Sequence, residues 1–149
     1  LLPLLVLGLA GGGAYFAILV PYALNASTLN IGYAPSQPID YSHKLHAGEL
    51  GIDCTYCHNT VDEAAHAAVP PATTCWNCHG EEYGQIQWES NKLTLLKQTM
   101  QPDGPPIEWI KVHDLGDYAY FNHASHVNAG VSCVQCHGRV DQMEVVMQV

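Results

Sequence analysis

The segment Tyr41-Ser-His-Lys-Leu-His46 is followed, after seven residues, by Cys54-Thr-Tyr-Cys57-His58. The same order returns at Phe121-Asn-His-Ala-Ser-His126, where six residues precede Cys133-Val-Gln-Cys136-His137. Both copies continue into a Val-Asp pair, at 61–62 and at 140–141. A third C-x-x-C-H box, residues 75–79, lies between the copies without a histidine pair directly before it. The chain therefore contains an internal duplication, around which we expect the fold to form.

The spacing within each box suits the covalent attachment of c-type haem. Two cysteines three positions apart can reach both vinyl groups on one edge of a porphyrin, and the adjacent histidine can bind the iron from one axial side. We expect three haems c, held by Cys54 and Cys57, by Cys75 and Cys78, and by Cys133 and Cys136. Their proximal iron ligands are then His58, His79 and His137. No residue is predicted to be catalytic.

Two other kinds of site also use C-x-x-C pairs. Zinc modules combine two such pairs, and exported domains use paired cysteines as a disulfide framework. Neither explains why a histidine follows the second cysteine of all three boxes, which together use all six cysteines of the chain. Haem attachment does explain it and is the favoured interpretation.

Six further histidines are candidates for the distal side of the irons: His43, His46, His66, His113, His123 and His126. A helical turn would place both rings of each H-x-x-H pair on one side, so that two neighbouring haems could each take one. For His66 and His113 the alternative is a solvent-facing ring or a bond to a haem propionate. Because six candidates exceed three haems, we expect further haems in a C-terminal extension or in a neighbouring subunit.

The first 25 residues carry no charge and would form a helix about 36 Å long, enough to cross a membrane. The alternative is a secretory signal, which has a shorter apolar region and a cleavage site. We expect a transmembrane anchor at 1–25, a linker at 26–38 and a multihaem cytochrome c domain at 39–149, with its C-terminal part incomplete. Since haem is attached to such boxes outside the cytoplasmic membrane, the haem domain is expected on the outer, periplasmic face.

All 19 charged residues lie from Asp40 onward and give a formal net charge of −9, which disfavours nucleic acid as a partner. The part of the chain that follows the apolar N-terminal segment is too short to bury a large apolar core by itself. We therefore expect a mainly α and irregular fold whose core is formed by the haems. A helix is predicted for Ser90 to Met100, a short helix for Val61 to Ala68, and short strands for Ile107 to Val112 and Tyr118 to Phe121.

The paired histidines before a box resemble the units of class III cytochromes c, the c3 and c7 types. Residues 37 to 148, with segments such as Pro106-Ile-Glu-Trp-Ile-Lys-Val-His113 and Tyr120-Phe-Asn-His-Ala-Ser-His126, more specifically resemble the membrane-anchored pentahaem cytochrome c subunit of alternative complex III. That family subunit has five boxes, whereas this chain shows three. The resemblance implies five haems in a complete subunit.

The resemblance also implies a function and partners. The subunit would pass electrons among its haems within a quinol:acceptor oxidoreductase of a bacterial cytoplasmic membrane, rather than act as a catalyst by itself. Its partners would be integral membrane quinol-binding subunits, an iron–sulfur subunit and a monohaem cytochrome. By the c3 and c7 pattern, His43 and His123 would bind the haems of their own copies, and His46 the middle haem.

Two other functions are left open by the sequence. One is an anchor cytochrome that oxidises quinol by itself and serves a periplasmic reductase. The other is a multihaem reductase in which one iron keeps an open axial position for a substrate.

Overall fold

The computed structural model describes residues 1–24, 30–116 and 118–149. The end of the predicted anchor at Asn25 and the start of the predicted linker at 26–29 lie outside the described residues. Within the described ranges the chain forms helices and irregular loops and contains no strand. The mainly helical and irregular architecture expected from the sequence is confirmed.

Seven α-helices follow one another along the described chain: α1 (Leu2–Ala14), α2 (Val20–Ala23), α3 (Cys54–Cys57), α4 (Ala72–His79), α5 (Thr94–Thr99), α6 (His123–Asn128) and α7 (Val134–His137). They are joined by two π-helical segments, Tyr15–Leu19 and Lys44–Glu49, and by two 3₁₀ turns, Asn91–Leu93 and Val140–Gln142. Most of these elements are one or two turns long, so that much of the chain lies in loops.

The N-terminal α1, the first π-helical segment and α2 form one continuous helix, Leu2–Ala23, of 22 residues. It is long and apolar enough to cross a membrane by length and composition, and its large side chains are exposed to the surroundings. Pro21 lacks the N–H that a regular helix would use, and the wider π-turn directly before it accommodates that loss.

The buried apolar side chains among the described residues are those of Val61, Leu96 and Val112. Leu96 lies on α5, in the helix predicted from Ser90, and that prediction is confirmed. The Ser90 hydroxyl accepts a hydrogen bond from the Lys92 N–H (3.3 Å) and so starts the segment as an N-cap.

The short helix predicted for residues 61–68 is wrong, because Thr60 closes this segment into a loop. After a single turn, the Thr60 hydroxyl accepts from the Ala68 N–H (3.0 Å) and donates to the His66 carbonyl (3.2 Å). The strand predicted at 107–112 is wrong as well. The Gln37 side-chain amide bonds both the N–H and the carbonyl of Ile110, each at 2.9 Å, and takes the place of a strand partner. No strand forms at 118–121 either.

The second half of the predicted linker is hydrogen-bonded to the rest of the chain. The Gly32 N–H donates to the Gln148 carbonyl (2.7 Å), and the Gln148 N–H donates to the Tyr33 carbonyl (3.0 Å). Together with the hydrogen bonds between Gln37 and Ile110, these bonds hold residues 32–37 against the chain near residues 110 and 148. The domain boundary at residue 38 stays a prediction.

Candidate haem-binding sites

Each C-x-x-C-H box is held by a short helix. In the first box the Asp53 carboxylate accepts from the Thr55 N–H (2.8 Å) and starts α3, and in the second box the helix starts after Pro71. One helical turn places the two cysteines of a box near each other on one side, with the histidine at the C-terminal end of the turn. All six cysteines are free and exposed or half-buried. The thiols are thus free to form thioether bonds to the vinyl groups of a porphyrin.

The proximal histidines of the first two boxes are oriented by backbone carbonyls. The Nδ1–H of His58 donates to the Ala68 carbonyl (2.8 Å), and that of His79 donates to the Ile86 carbonyl (2.7 Å). A carbonyl can only accept, so Nδ1 carries the proton and Nε2 keeps its lone pair. This is the usual outer-shell arrangement of a metal-binding histidine.

The two H-x-x-H pairs have nearly the same local structure. Tyr41 stacks on His46 with ring centroids 4.4 Å apart and an interplanar angle of 24°, and Phe121 stacks on His126 with the same two values. The same aromatic rings lie edge-on to the first histidine of each pair, at 4.9 Å from His43 and 4.8 Å from His123. The duplication read from the sequence is therefore a duplication of structure.

Backbone carbonyls fix the second histidine of each pair. The His46 Nδ1–H donates to the Ser42 carbonyl, and the His126 Nδ1–H donates to the Asn122 carbonyl, both at 2.8 Å. The side chains of these two acceptor residues also cap the turn, since Ser42 accepts from Leu45 N–H and Asn122 from Ser125 N–H. The Nε2 atoms of both histidines are again left available for a metal.

The ring centroids of two pairs of imidazoles lie at the separation that an intervening iron requires. A histidine nitrogen binds a metal at about 2.0 Å, so two rings on opposite sides of one ion have centroids about 6 Å apart. His46 lies 6.2 Å from the proximal His79, and His123 lies 6.3 Å from the proximal His137. The geometry thus fits one iron between each pair.

His43 lies close enough to His58, the histidine of the first box, for the two rings to interact electrostatically. Burial lowers the pKa of His43 to about 4, and His58 is the strongest of the neighbouring rings that lower it further. Burial also lowers the pKa of His137, with contributions from His113, His123 and His58. A low pKa keeps an imidazole neutral, which is the form that binds iron.

The two copies pack against each other reciprocally. The N–H of Lys44, in the helix of the first copy, donates to the Met143 carbonyl behind the third box (3.0 Å). The N–H of Ala124, at the same place in the second copy, donates to the Ala64 carbonyl behind the first box (3.1 Å). Each histidine pair is therefore positioned by the turn that follows the box of the other copy.

The first copy has one more residue than the second between its histidine pair and its box, and a π-helix accommodates this residue. Residues Lys44–Glu49 form a π-helix, which holds one more residue per turn, whereas the equivalent α6 is regular. Beyond it the copies return to register, since the N–H of Ile52 bonds the His46 carbonyl and the N–H of Val131 bonds the His126 carbonyl, both at 3.0 Å.

The third box differs from the first in how its histidine is surrounded. The residue equivalent to Ala68 is Met147, whose backbone is hydrogen-bonded by the His113 ring. His113 lies edge-on to His137 with centroids 4.5 Å apart, too close for an iron to lie between them. The buried Nε2 of His113 has no hydrogen-bond partner among the described residues. The structure thus places His113 edge-on beside the histidine of the third box.

The boxes lie close together at their cysteines. The Cys54 thiol is within hydrogen-bonding reach of Cys133, and burial raises its pKa, with a further contribution from Cys133. Cys57 lies near Cys78 and Cys75, and Tyr56 of the first box accepts a hydrogen bond from Asn77 of the second (3.3 Å). The first box therefore has a neighbour on each side.

Two of the nine histidines have exposed side chains: His66 and His126. No three His, Cys, Asp or Glu side chains converge as a metal-ion cluster in the part of the chain that the structure describes.

Sequence reasoning missed the groups that orient the histidines. The aromatic Tyr41 and Phe121 stand two residues before each H-x-x-H pair, and this repeated position was a signal that could have been used. The orienting carbonyls of Ala68 and Ile86 carry no sequence signal, because every residue has a backbone carbonyl.

Paired thiols, a histidine beside them and a second imidazole facing it are the features of multihaem c-type cytochromes. Comparison with curated proteins supports this class. Over 101 residues, or 68 % of its length, the chain is 30 % identical to the multiheme cytochrome c subunit of menaquinone reductase from Nitratidesulfovibrio vulgaris strain Hildenborough. The chain spans 45 % of that relative's length. No family model matches the chain.

Proposed function

We propose that the chain is a membrane-anchored, multihaem c-type cytochrome that carries electrons between a membrane quinone pool and a redox partner outside the membrane. The observation that carries this proposal is the pairing of imidazoles at 6.2 Å and 6.3 Å across the positions of two irons. An iron with two histidine ligands has no open position for a substrate. Electron transfer is then the chemistry that this arrangement supports.

The residues of the chain hold and tune three haems c in this proposal. The three cysteine pairs would form the thioethers, and the irons would be bound by His58 with His43, by His79 with His46 and by His137 with His123. When bound, the haem groups supply reversible one-electron chemistry. The Ala68, Ile86, Ser42 and Ala65 carbonyls fix the imidazoles of His58, His79, His46 and His123. Burial lowers the pKa of the two other imidazoles, those of His43 and His137, which favours the neutral form that binds iron. The proximity of the cysteines makes the first box the link between the other two.

Two membrane complexes are candidates for the assembly. The resemblance of residues 37–148 to the pentahaem subunit of alternative complex III favours quinol oxidation, with quinol-binding, iron–sulfur and monohaem cytochrome subunits as partners. The similar protein from N. vulgaris is a subunit of a menaquinone reductase, which favours electron flow towards the quinone. In both complexes the chain would transfer electrons between the quinone pool and a redox partner. The two complexes differ in the direction of electron flow.

The direction can be tested on the complex purified from membranes. If the complex oxidises quinol, added menaquinol reduces the haems in a stopped-flow experiment, as followed at the Soret and α bands after mixing. If it reduces quinone, pre-reduced haems are reoxidised by menaquinone. The proposal of quinone-linked electron transfer is wrong if neither reaction occurs in a complex that retains its haems.

The two alternatives from the sequence have distinct tests. A reductase with an open iron would show a Soret shift when carbon monoxide or nitrite is added to the undenatured protein, and we expect none from the three irons of this chain. An anchor cytochrome acting alone would oxidise quinol as an isolated subunit, and we expect turnover only in the assembled complex.

A further inference from the structure

Leu115, Tyr118 and Tyr120 form an exposed apolar surface, which we call the tyrosine loop. Tyr118 is 89 % exposed, Tyr120 is fully exposed, and Leu115 is more than half exposed. The Ala119 N–H donates to the Gly116 carbonyl (2.8 Å), which closes a turn within the loop. Large side chains that are exposed together in this way mark a surface that another molecule covers.

We propose that the tyrosine loop lies in the headgroup region of the membrane that the helix Leu2–Ala23 crosses, as a second contact between this chain and lipid. This inference rests on the membrane anchor of the proposed function. It adds a lipid-binding surface to the part of the chain in which the sequence indicates haem binding.

The first step is the direction of the chain that leads to the loop. The Gln37 side chain bonds the N–H and the carbonyl of Ile110, each at 2.9 Å, and Asn30 lines one cavity together with Asp114. The two segments therefore run side by side in opposite directions. The second segment ends beside Asn30, the described residue that follows the anchor in the chain, and the tyrosine loop continues directly from that end.

The second step is the short distance between the anchor and this end. Residues 25–29 separate Leu24, at the end of the N-terminal helix, from Asn30. Six residue steps of a fully extended chain span about 20 Å. The headgroup layer itself extends roughly 5–8 Å beyond the hydrocarbon on each side of a bilayer. The tyrosine loop is thus held close to the membrane surface by the covalent chain.

The third step is the chemistry of the loop. Tyrosine is enriched at membrane–water interfaces, where its ring lies among the headgroups and its hydroxyl stays hydrated. Lys111 and Asp114 precede the loop and form an ion pair (2.6 Å), so that their charges offset each other. Asp117 belongs to the same stretch of the sequence, and a charged side chain is costly in hydrocarbon. The loop therefore suits the headgroup level and not the interior of the bilayer.

A second membrane contact fixes the orientation of the haem domain. A domain held by one tether can rotate and tilt about it, whereas a tether and a loop at different points hold one side against the bilayer. Side chains at the interface give reversible binding, so the helix remains the anchor. The side that carries residues 110–120 then faces the quinone pool.

The experiment is photocrosslinking of the full natural chain in its membrane complex, with the substitution Tyr118→p-benzoylphenylalanine. This amino acid is aromatic, as tyrosine is, and near-ultraviolet light makes it bond covalently to C–H groups beside it. We expect the mass of the cytochrome to increase by that of one phospholipid. The matched control is Tyr83→p-benzoylphenylalanine, at an exposed tyrosine whose N–H bonds the Gly80 carbonyl behind the second box, and it should give no lipid adduct.

A lipid adduct at position 118 without one at position 83 supports the inference. An adduct between position 118 and another polypeptide shows that a protein subunit covers the loop, and the absence of any adduct shows that the loop faces water. Either result overturns the inference, as do lipid adducts at both positions. If the substitution at Tyr118 prevents haem loading, Tyr120→p-benzoylphenylalanine replaces it and is judged by the same outcomes.

A third position separates this inference from the proposed anchor. Phe16 is exposed on the N-terminal helix, so Phe16→p-benzoylphenylalanine should form a lipid adduct if that helix crosses the membrane. A lipid adduct at position 16 with none at position 118 shows that the inference about the loop is wrong while the anchor stands. The absence of a lipid adduct at position 16 contradicts the anchor itself.

Discussion

At the scale of single residues, the second histidine of the first copy gives the most direct test of the axial pairing. In His46→Met the thioether sulfur replaces an imidazole opposite His79, and Met/His ligation has a higher reduction potential than bis-histidine ligation. We expect one haem of the three to rise by on the order of 0.1 V, as measured by spectroelectrochemical titration. The exposed His66→Met is the control. An unchanged titration would show that another residue faces His79.

His113 is expected to tune the third haem without binding its iron. Its ring bonds the Met147 backbone, at the place where the equivalent Ala68 carbonyl orients His58 in the first copy. In the variant His113→Phe, the Met147 carbonyl can accept a hydrogen bond from the Nδ1–H of His137. This hydrogen bond would make the His137 imidazole a stronger electron donor to iron.

We therefore expect His113→Phe to lower the potential of the haem on Cys133 and Cys136 by tens of millivolts, roughly a tenfold shift in its redox equilibrium. The three haems should keep low-spin spectra, because Phe preserves the edge-on packing against His137. The appearance of a high-spin haem in this variant would show instead that His113 is an axial ligand.

At the scale of single elements, the π-helix Lys44–Glu49 depends on a glycine. A Cβ added to Gly48 would clash with the Asp141 carbonyl oxygen, which belongs to the backbone and cannot rotate away. The equivalent residue of the second copy, Asn128, instead donates its side-chain amide to the Asp62 carbonyl (2.9 Å). The tighter approach in the first copy follows from the extra residue in its helical turn.

We expect Gly48→Ala to destabilise the haem-loaded protein by about 1–3 kcal/mol, the cost of overpacking a close contact. Asn128→Ala is the matched control at the equivalent position, where one exposed hydrogen bond is worth about 1 kcal/mol or less. The measurement is thermal unfolding followed by Soret circular dichroism. Equal effects of the two substitutions would contradict the close packing of the π-helix.

The N-terminal helix Leu2–Ala23 gives a second prediction at this scale. If its exposed apolar surface is a membrane anchor, replacing residues 1–24 by a cleavable signal peptide should yield a haem-loaded protein in the soluble periplasmic fraction. The unaltered chain should stay in the membrane fraction after a high-salt wash. Recovery of the unaltered chain in the soluble fraction would contradict the anchor.

At the scale of the whole molecule, we expect folding to depend on bound haem. The buried apolar side chains of the described residues are those of Val61, Leu96 and Val112, and these three side chains cannot offset the conformational entropy of more than a hundred ordered residues. In our proposal the porphyrins supply the missing core, as bound metals do in other small domains.

A chain produced without haem attachment, for example with all six cysteines changed to serine, is therefore expected to be unfolded beyond the N-terminal helix. Far-ultraviolet circular dichroism in detergent should show helix from residues 2–23 only, and limited proteolysis should degrade the rest of the chain. The haem-loaded protein is the control. A protease-resistant domain in the serine variant would show that the polypeptide alone forms the core.

The internal repeat was sufficient to predict the similarity of the two copies, and the small size of the region after the apolar segment was sufficient to predict the helical and irregular character of the fold. The similarity of the copies depends on residue types at fixed spacings, which local geometry turns into the same structure each time. The helix after Ser90 was predicted for the same reason, since an N-cap and a buried Leu96 are local signals. Three predictions were wrong. The helix at 61–68 and the strand at 107–112 are replaced by segments whose backbone is hydrogen-bonded by the side chains of Thr60 and Gln37. The strand at 118–121 is replaced by irregular chain.

The cysteines and histidines that are candidates to hold haem were predicted from the sequence, because covalent attachment and iron binding need particular side chains at particular spacings. The proximity of the histidines depends on the tertiary structure, in which the rings of His46 and His79 are 6.2 Å apart and those of His123 and His137 are 6.3 Å apart. His113 packs edge-on against His137. These pairings join residues far apart in the chain. They are set by the reciprocal packing of the two copies through backbone carbonyls, which every residue possesses and which no sequence pattern can mark.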